Sequence, residues 1–412
     1  MSEAATTATV PRPQPLGVFP LPAGYLLIGE GEDHDELRRT LTAGKLPDGL
    51  PASLEFYQLA LDGDLAAATA SLTGDDAISA ANRLVLDPSE DRFDIAFKAA
   101  ADAGDQALKT FVETMGFIVG LAPRPPEPGD TDGEFAALVH AAQATLAMEQ
   151  RDIGAAVESL EEAAKAADTV SKALAGQLLG QLANAQLDEG GTKRATVSFE
   201  AAIDALSDTD LPLSRAELHV AIGAMFQERS ESAPRLMQQA IDHYHQAMAL
   251  VTAETAPETF AIANANLGLA YLMMPMNEAS DQLRIGVAVQ SMREALRIFR
   301  PESHPDRWSS TQLNLANALV YMPSKHQAEN IAEAVDLYQE VLDHREGDPL
   351  GRGRVLANQG NALAHLGHLS EARGLLSEAR AIFVQHDETD SAAAVGSVLD
   401  EVSFTEQKNA DQ

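Results

Sequence analysis

The sequence predicts an all-helical fold, a solenoid of antiparallel helix pairs, and two observations predict it. Hydrophobic residues make up 45% of the 412 residues while aromatics make up only 5%. Small side chains let helices approach closely, so this balance suits stacked helices better than a sandwich or barrel. The second observation is an internal repeat. Asn266-Leu267-Gly268-Leu269-Ala270-Tyr271, Asn314-Leu315-Ala316-Asn317-Ala318-Leu319 and Asn358-Gln359-Gly360-Asn361-Ala362-Leu363 align, each inside an apolar-periodic stretch and each followed by a turn and a second such stretch.

Taken in chain order, residues 1–15 are rich in Ser, Thr, Ala and Pro and are expected to form a disordered tail. Residues 16–121 are expected to be a small helical domain or degenerate repeats. Leu16 to Ile28 is apolar but punctuated by Pro20, Pro22 and Gly24, which fits an extended segment packed on helices or a short strand. Helices resume from Leu54, with turns at Gly63-Asp64 and Ala103-Gly104-Asp105. Residues 122–133, with Pro123, Pro125, Pro126, Pro128 and Gly129, read as a linker and a boundary.

Residues 134–386 read as an array of about six helix pairs. In the second helix of each pair a small residue is followed four positions later by a large one and three later by another small one. The sets are Ala156/Leu160/Ala163, Ala195/Phe199/Ala202, Ala240/Tyr244/Ala247, Ala288/Met292/Ala295, Ala334/Tyr338/Val341 and Ala372/Leu376/Ala379. Such spacing puts all three on one helix face. The matching first helices carry Ala144, Ala183, Gly223, Gly268, Ala316 and Gly360 where the two helices cross. One hairpin cannot bury both faces, so each must stack on the next. Residues 387–412 complete the chain as a capping helix and tail.

These words resemble the tetratricopeptide (TPR) repeat family. "NLGLAY", "NLANAL" and "NQGNAL" match its first-helix core, and Gly367 to Ala372 matches its turn into the second helix. The resemblance covers the C-terminal two-thirds and implies a right-handed superhelix. The crossing residues lie 39, 40, 45, 48 and 44 apart, longer than the simple repeat of about 34. Two insertions begin at Met274-Pro275 and Met322-Pro323, where proline should end the first helix. Residues from His304 to Tyr338 are similar to repeats of bacterial arrays attached to caspase-like (CHAT) protease domains, in repeat style only.

Family geometry further implies a concave groove lined by the first helices. Carried onto this chain, the lining is Leu269, Leu272 and Met273, then Leu313, Asn317, Val320 and Tyr321, then Arg354, Asn361 and His365, with Glu217, Gln227 and Glu228 as an acidic continuation. An apolar groove with asparagines suits a helix or hydrophobic peptide of a protein partner. The recurrent Asn266, Asn314 and Asn358 match scaffold positions and imply a structural role between repeats.

The formal net charge of −33 repels nucleic acid and anionic lipid and favours a basic partner, and self-association stays open. With no cysteine, thiolate catalysis and cysteine-held metals are excluded. No secretory signal or membrane-length apolar run is present, so the default location is cytoplasmic. His243 and His245, two apart on a helix, point apart and cannot share a metal. His365 and His368 lose ligand geometry because Gly367 ends the helix. The run from Asp130 to Glu134 lacks the distal glutamate of a calcium loop, Ala141 standing there. No phosphate-binding loop or nucleophile elbow occurs, so no cofactor, metal or enzymatic activity is expected. The expected function is a protein-interaction scaffold. Alternatives are a maturation chaperone for an enzyme encoded nearby and a ligand- or peptide-sensing regulator.

Overall fold

The computed structural model describes residues 10–21, 24–230, 233, 235–274, 281–322, 324–344 and 347–410, and among them all regular structure is helical. Six short helices come first: α1 (His34–Thr42), α2 (Glu55–Leu61), α3 (Leu65–Ser71), α4 (Ala77–Leu86), α5 (Glu90–Asp102) and α6 (Gln106–Ile118). Six pairs follow: α7 (Gly133–Glu149) with α8 (Ile153–Asp168), α9 (Lys172–Asp188) with α10 (Thr192–Ala205), α11 (Pro212–Glu228) with α12 (Arg235–Leu250), α13 (Pro257–Met273) with α14 (Asp281–Leu296), α15 (Pro305–Tyr321) with α16 (Gln327–His344), and α17 (Pro349–His365) with α18 (Leu369–Gln385). The last helix, α19 (Thr389–Ala410), packs on α18 through Ala392, Val395 and Val402. The arrangement is a TPR-like α solenoid.

The repeat pattern explains the stacking. All six sets in the second helices are buried, with Phe199, Tyr244, Met292, Tyr338 and Leu376 at 1% exposure or less. Each such side chain contributes roughly 1.5–3 kcal/mol of burial. The crossing glycines are sites of close approach. A β-carbon on Gly268 would lie 2.8 Å from Met292 Cγ and 3.0 Å from the Ala288 carbonyl oxygen, and one on Gly360 would lie 2.8 Å from Leu376 Cγ. Helix starts are marked by Pro257, Pro305 and Pro349, whose missing N–H costs nothing in the first turn. Asp152, Ser171 and Asp348 cap their helices with side-chain oxygens, a contribution of about 1 kcal/mol each. The helices before the two insertions stop at Met273 and Tyr321. The next residues, Met274 and Met322, turn extended (ψ 140° and 116°), the backbone that a following proline imposes. Pro275 and Pro323 themselves lie outside the described residues.

The chain divides into two compact units, Met1–Leu218 and His219–Gln412. The proline-rich stretch 122–133, expected as a boundary, lies inside the first. There α6 packs on α7, with Phe111 and Phe135 edge to face at 6.1 Å. The expected tail is corrected in part: residues 1–9 lie outside the described set, but Val10 and Gln14 are buried. Residues 10–21 and 24–28 form an irregular segment that turns at 16–18 and pairs with no strand, and Leu16, Val18, Leu26, Leu27 and Ile28 are fully buried. Its anchor is Arg12. The guanidinium donates to Glu134 of α7 through Nε (2.7 Å) and Nη2 (2.9 Å), pairs with Asp132, and lies over the Phe135 ring at 5.1 Å. Asp132 and Glu134 of the acidic run therefore clamp Arg12. Farther along, Gln177 Nε2 of α9 donates to the Val18 carbonyl (2.9 Å), and Asn82 of α4 bonds both backbone groups of Leu27.

Candidate functional site

In the second unit the first helices α13, α15 and α17 lie next to one another in the stack. Among the groove positions expected from the sequence, Leu269, Leu272 and Leu313 are half-buried against the core of that unit. Met273 and Tyr321 are 44% and 63% exposed. Arg354 and His365 are exposed and Asn361 is half-buried. Val320 is a correction: at 5% exposure it belongs to the core with Leu315 and Leu319. Neighbours on a helix point about 100° apart, and here it is Tyr321 that reaches solvent. Gln227 is also corrected. It is 8% exposed, accepts from the Tyr244 hydroxyl at 2.8 Å and donates to Met273 Sδ at 3.6 Å, so it joins helices instead of facing solvent.

Asn317 is doubly engaged. Its Oδ1 accepts from the Tyr338 hydroxyl (2.6 Å) and from Asn358 Nδ2 (3.1 Å), linking α15, α16 and α17. Burial first, then the neighbouring Tyr321, pushes the Tyr338 hydroxyl well above the ordinary tyrosine range, so it remains a donor. Asn358 thus makes a bond between repeats.

Three of the expected residues, Leu272, Asn317 and Tyr321, meet at a cavity of about 240 Å³. Tyr271, Arg284, Ile285 and Ala318 complete its wall. Pockets for whole small molecules measure about 300–1,000 Å³, so this smaller cavity matches one bulky side chain of a larger partner. Arg284 and Ile285 were not found from the sequence. They stand just after the first insertion, whose departure from the simple repeat was the only signal in the sequence. Tyr271 is only half-buried, and its hydroxyl lies 3.2 Å from His245 Nε2.

No family model matches the chain, and no curated protein matches it. Solved structures do. The chain is similar to the apo form of RapI, at 11% identity over 86% of this chain and 97% of that one, with a TM-score of 0.49. It is similar to a Rap protein complexed with Competence and Sporulation Factor, at 13% identity over 85% and 96%, with a TM-score of 0.44. It is also similar to the C-terminal part of a TPR repeat-containing protein from Cytophaga hutchinsonii, at 16% identity over 70% and 93%, with a TM-score of 0.42. None of these similarities transfers a binding residue to this chain.

The histidines are engaged elsewhere. His243 and His245 do point apart: His243 Nδ1 lies 2.9 Å from His219 Nδ1, while His245 meets Tyr271. One imidazole donates and the other accepts, so the contact excludes two imidazolium ions. Burial holds His243 below the ordinary histidine range, against a smaller opposing effect of Asp242. Gly367 ends α17 in the left-handed conformation (φ 83°), separating His365 from His368. Among the described residues, no group of three or more His, Asp or Glu is placed to hold a metal ion, and no helix is long and apolar enough to cross a membrane.

Proposed function

We propose that the protein is a non-catalytic interaction scaffold that takes an apolar segment of a partner protein into the groove of α13, α15 and α17. Leu272, Tyr321 and their neighbours seat one large side chain, and Met273, Leu269 and Leu313 supply the adjoining apolar surface. Asn361, Arg354 and His365 face the continuing chain of the partner. The observation that carries the reading is the exposure of Tyr321 and Met273 beside a cavity sized for a side chain. Exposed apolar surface of this kind, rimmed by polar groups, marks interaction sites. A buried aromatic anchor contributes about 2 kcal/mol or more to binding, about 30-fold in affinity.

The test is affinity capture from native lysate with the wild-type chain and with Tyr321→Glu and Leu272→Glu. The expected result is a partner retained by wild type and lost by both variants. Equal retention by the variants refutes the groove assignment.

A further inference from the structure

The first unit holds a second and larger cavity, about 710 Å³, which the proposed groove does not use. Its floor is apolar: Val18 and Phe19 of the N-terminal segment, Leu41 of α1 and Leu211 before α11 are all buried. Its rim is apolar too, and open. Leu46 is 48% exposed and Leu213 is 39% exposed. Two leucines left facing water beside a hydrophobic floor form an uncovered apolar surface, and the cavity lies within the volume range of ligand sites.

The charges around it decide what fits. The ionisable residues lining the cavity are Asp62, Asp210 and Glu217, with no Lys, Arg or His among the described lining. Lys45, next to Leu46 in the chain, is already divided between Asp208 (3.2 Å) and Asp210 (3.5 Å). Asp210 also accepts the Leu46 backbone N–H at 2.9 Å, and Asp62 accepts from Gln58 at 3.0 Å. Glu217 is exposed to solvent, yet partial desolvation raises its carboxyl above the usual carboxylate range. A cation placed there would relieve that cost. The wall also holds backbone already, since Gln177, one of its lining residues, donates to the carbonyl of Val18 in the turn at 16–18, at 2.9 Å. A second copy of this chain, at −33, is a poor occupant, whereas the same field draws in basic segments.

We propose that this cavity docks a basic peptide segment of a partner protein, with a Leu or Phe side chain on the Phe19–Leu41–Leu211 floor and flanking Lys or Arg side chains against Glu217 and Asp62. The site is separate from the groove of the second unit and stands or falls independently of it.

The experiment uses the full chain and a panel of fluorescein-labelled peptides in which a central Leu-Phe pair is flanked by Lys, Ser or Glu, read by fluorescence anisotropy. The Lys-flanked peptides are expected to bind most tightly, the Glu-flanked not at all, and rising salt is expected to weaken the Lys-flanked complex. Glu217→Gln should weaken that complex about fivefold, the scale of a partly exposed ion pair. Leu213→Asp should abolish it, and Tyr321→Glu should leave it unchanged. Glu217→Gln keeps its shape, so its result stands even where Leu213→Asp disturbs folding. Absence of binding across the panel, equal affinity for Lys- and Ser-flanked peptides, or an unchanged affinity in Glu217→Gln would overturn the proposal. So would loss of binding in Tyr321→Glu, which would move the peptide to the other groove.

Discussion

Replacing Arg12 with Met should free the N-terminal segment while leaving the helix pairs folded. Glu134 is fully buried and accepts three hydrogen bonds, from Arg12 Nε (2.7 Å), Arg12 Nη2 (2.9 Å) and the Gln14 backbone N–H (3.2 Å). Arg12→Met removes the two charge-assisted bonds and leaves a buried carboxylate with one weak donor. Breaking a buried pair from one side costs about 3–5 kcal/mol. Arg12 is 29% exposed and its other partner, Asp132, is 83% exposed. That outer contact adds little, so the lower end applies. A loss of about 3 kcal/mol raises the opening of the segment roughly 100-fold. Hydrogen exchange at the Leu27 and Ile28 amides reads this directly, because they donate to Asn82 Oδ1 (2.8 Å) and Gln14 Oε1 (3.0 Å). The double variant Arg12→Met with Glu134→Leu should recover most of the protection, since no charge is then left buried. Acceleration below about fivefold in the single variant, or no recovery in the double, refutes the clamp.

Gly360→Val forces a β-carbon to within 2.8 Å of Leu376 Cγ and 3.2 Å of the Ala372 carbonyl oxygen, and the backbone oxygen cannot yield. It should destabilise the second unit by about 1–3 kcal/mol, followed by fluorescence of Trp308, the single tryptophan, which lies in that unit. An unchanged urea midpoint would contradict the crossing geometry. Gly374→Ala, on α18 with nothing within 4 Å of the new β-carbon, should instead stabilise by about 0.5–1 kcal/mol in the same assay. His243 titrates below its unfolded value, so below about pH 6.5 the unfolded chain binds more protons than the folded one. Stability of the second unit should therefore fall as pH drops from about 6.5 through the depressed folded value. His243→Leu should flatten that slope, and an equal slope in both proteins would discard the assignment.

Much of the architecture is legible in the sequence because its cause is local. Small–large–small triads such as Ala334/Tyr338/Val341 lie within two turns of one helix, so their spacing alone states which face is buried. Helix ends are local as well: Pro275 and Pro323 turn the preceding residues extended, and Gly367 supplies a left-handed cap. Where the buried face is polar the signal fails. α1 buries His34, Arg38 and Thr42 alongside Leu41, so no apolar period marks it. Val320 and Tyr321 show the same limit at a finer scale, since spacing alone did not separate the core neighbour from the exposed one.

By itself, the order of residues determined a stack of paired helices, because helix faces are written at three- and four-residue intervals. Tertiary structure decided which faces remain open. Arg12 and Glu134 stand 122 positions apart, and no periodic pattern links an irregular segment to the helices it lies on. The first unit's helices α7 and α9 are therefore bonded to the chain's own N-terminal segment, while Tyr321 and Met273 face solvent in the second. That division follows from which distant polar groups find partners when buried, a condition only the folded chain can meet.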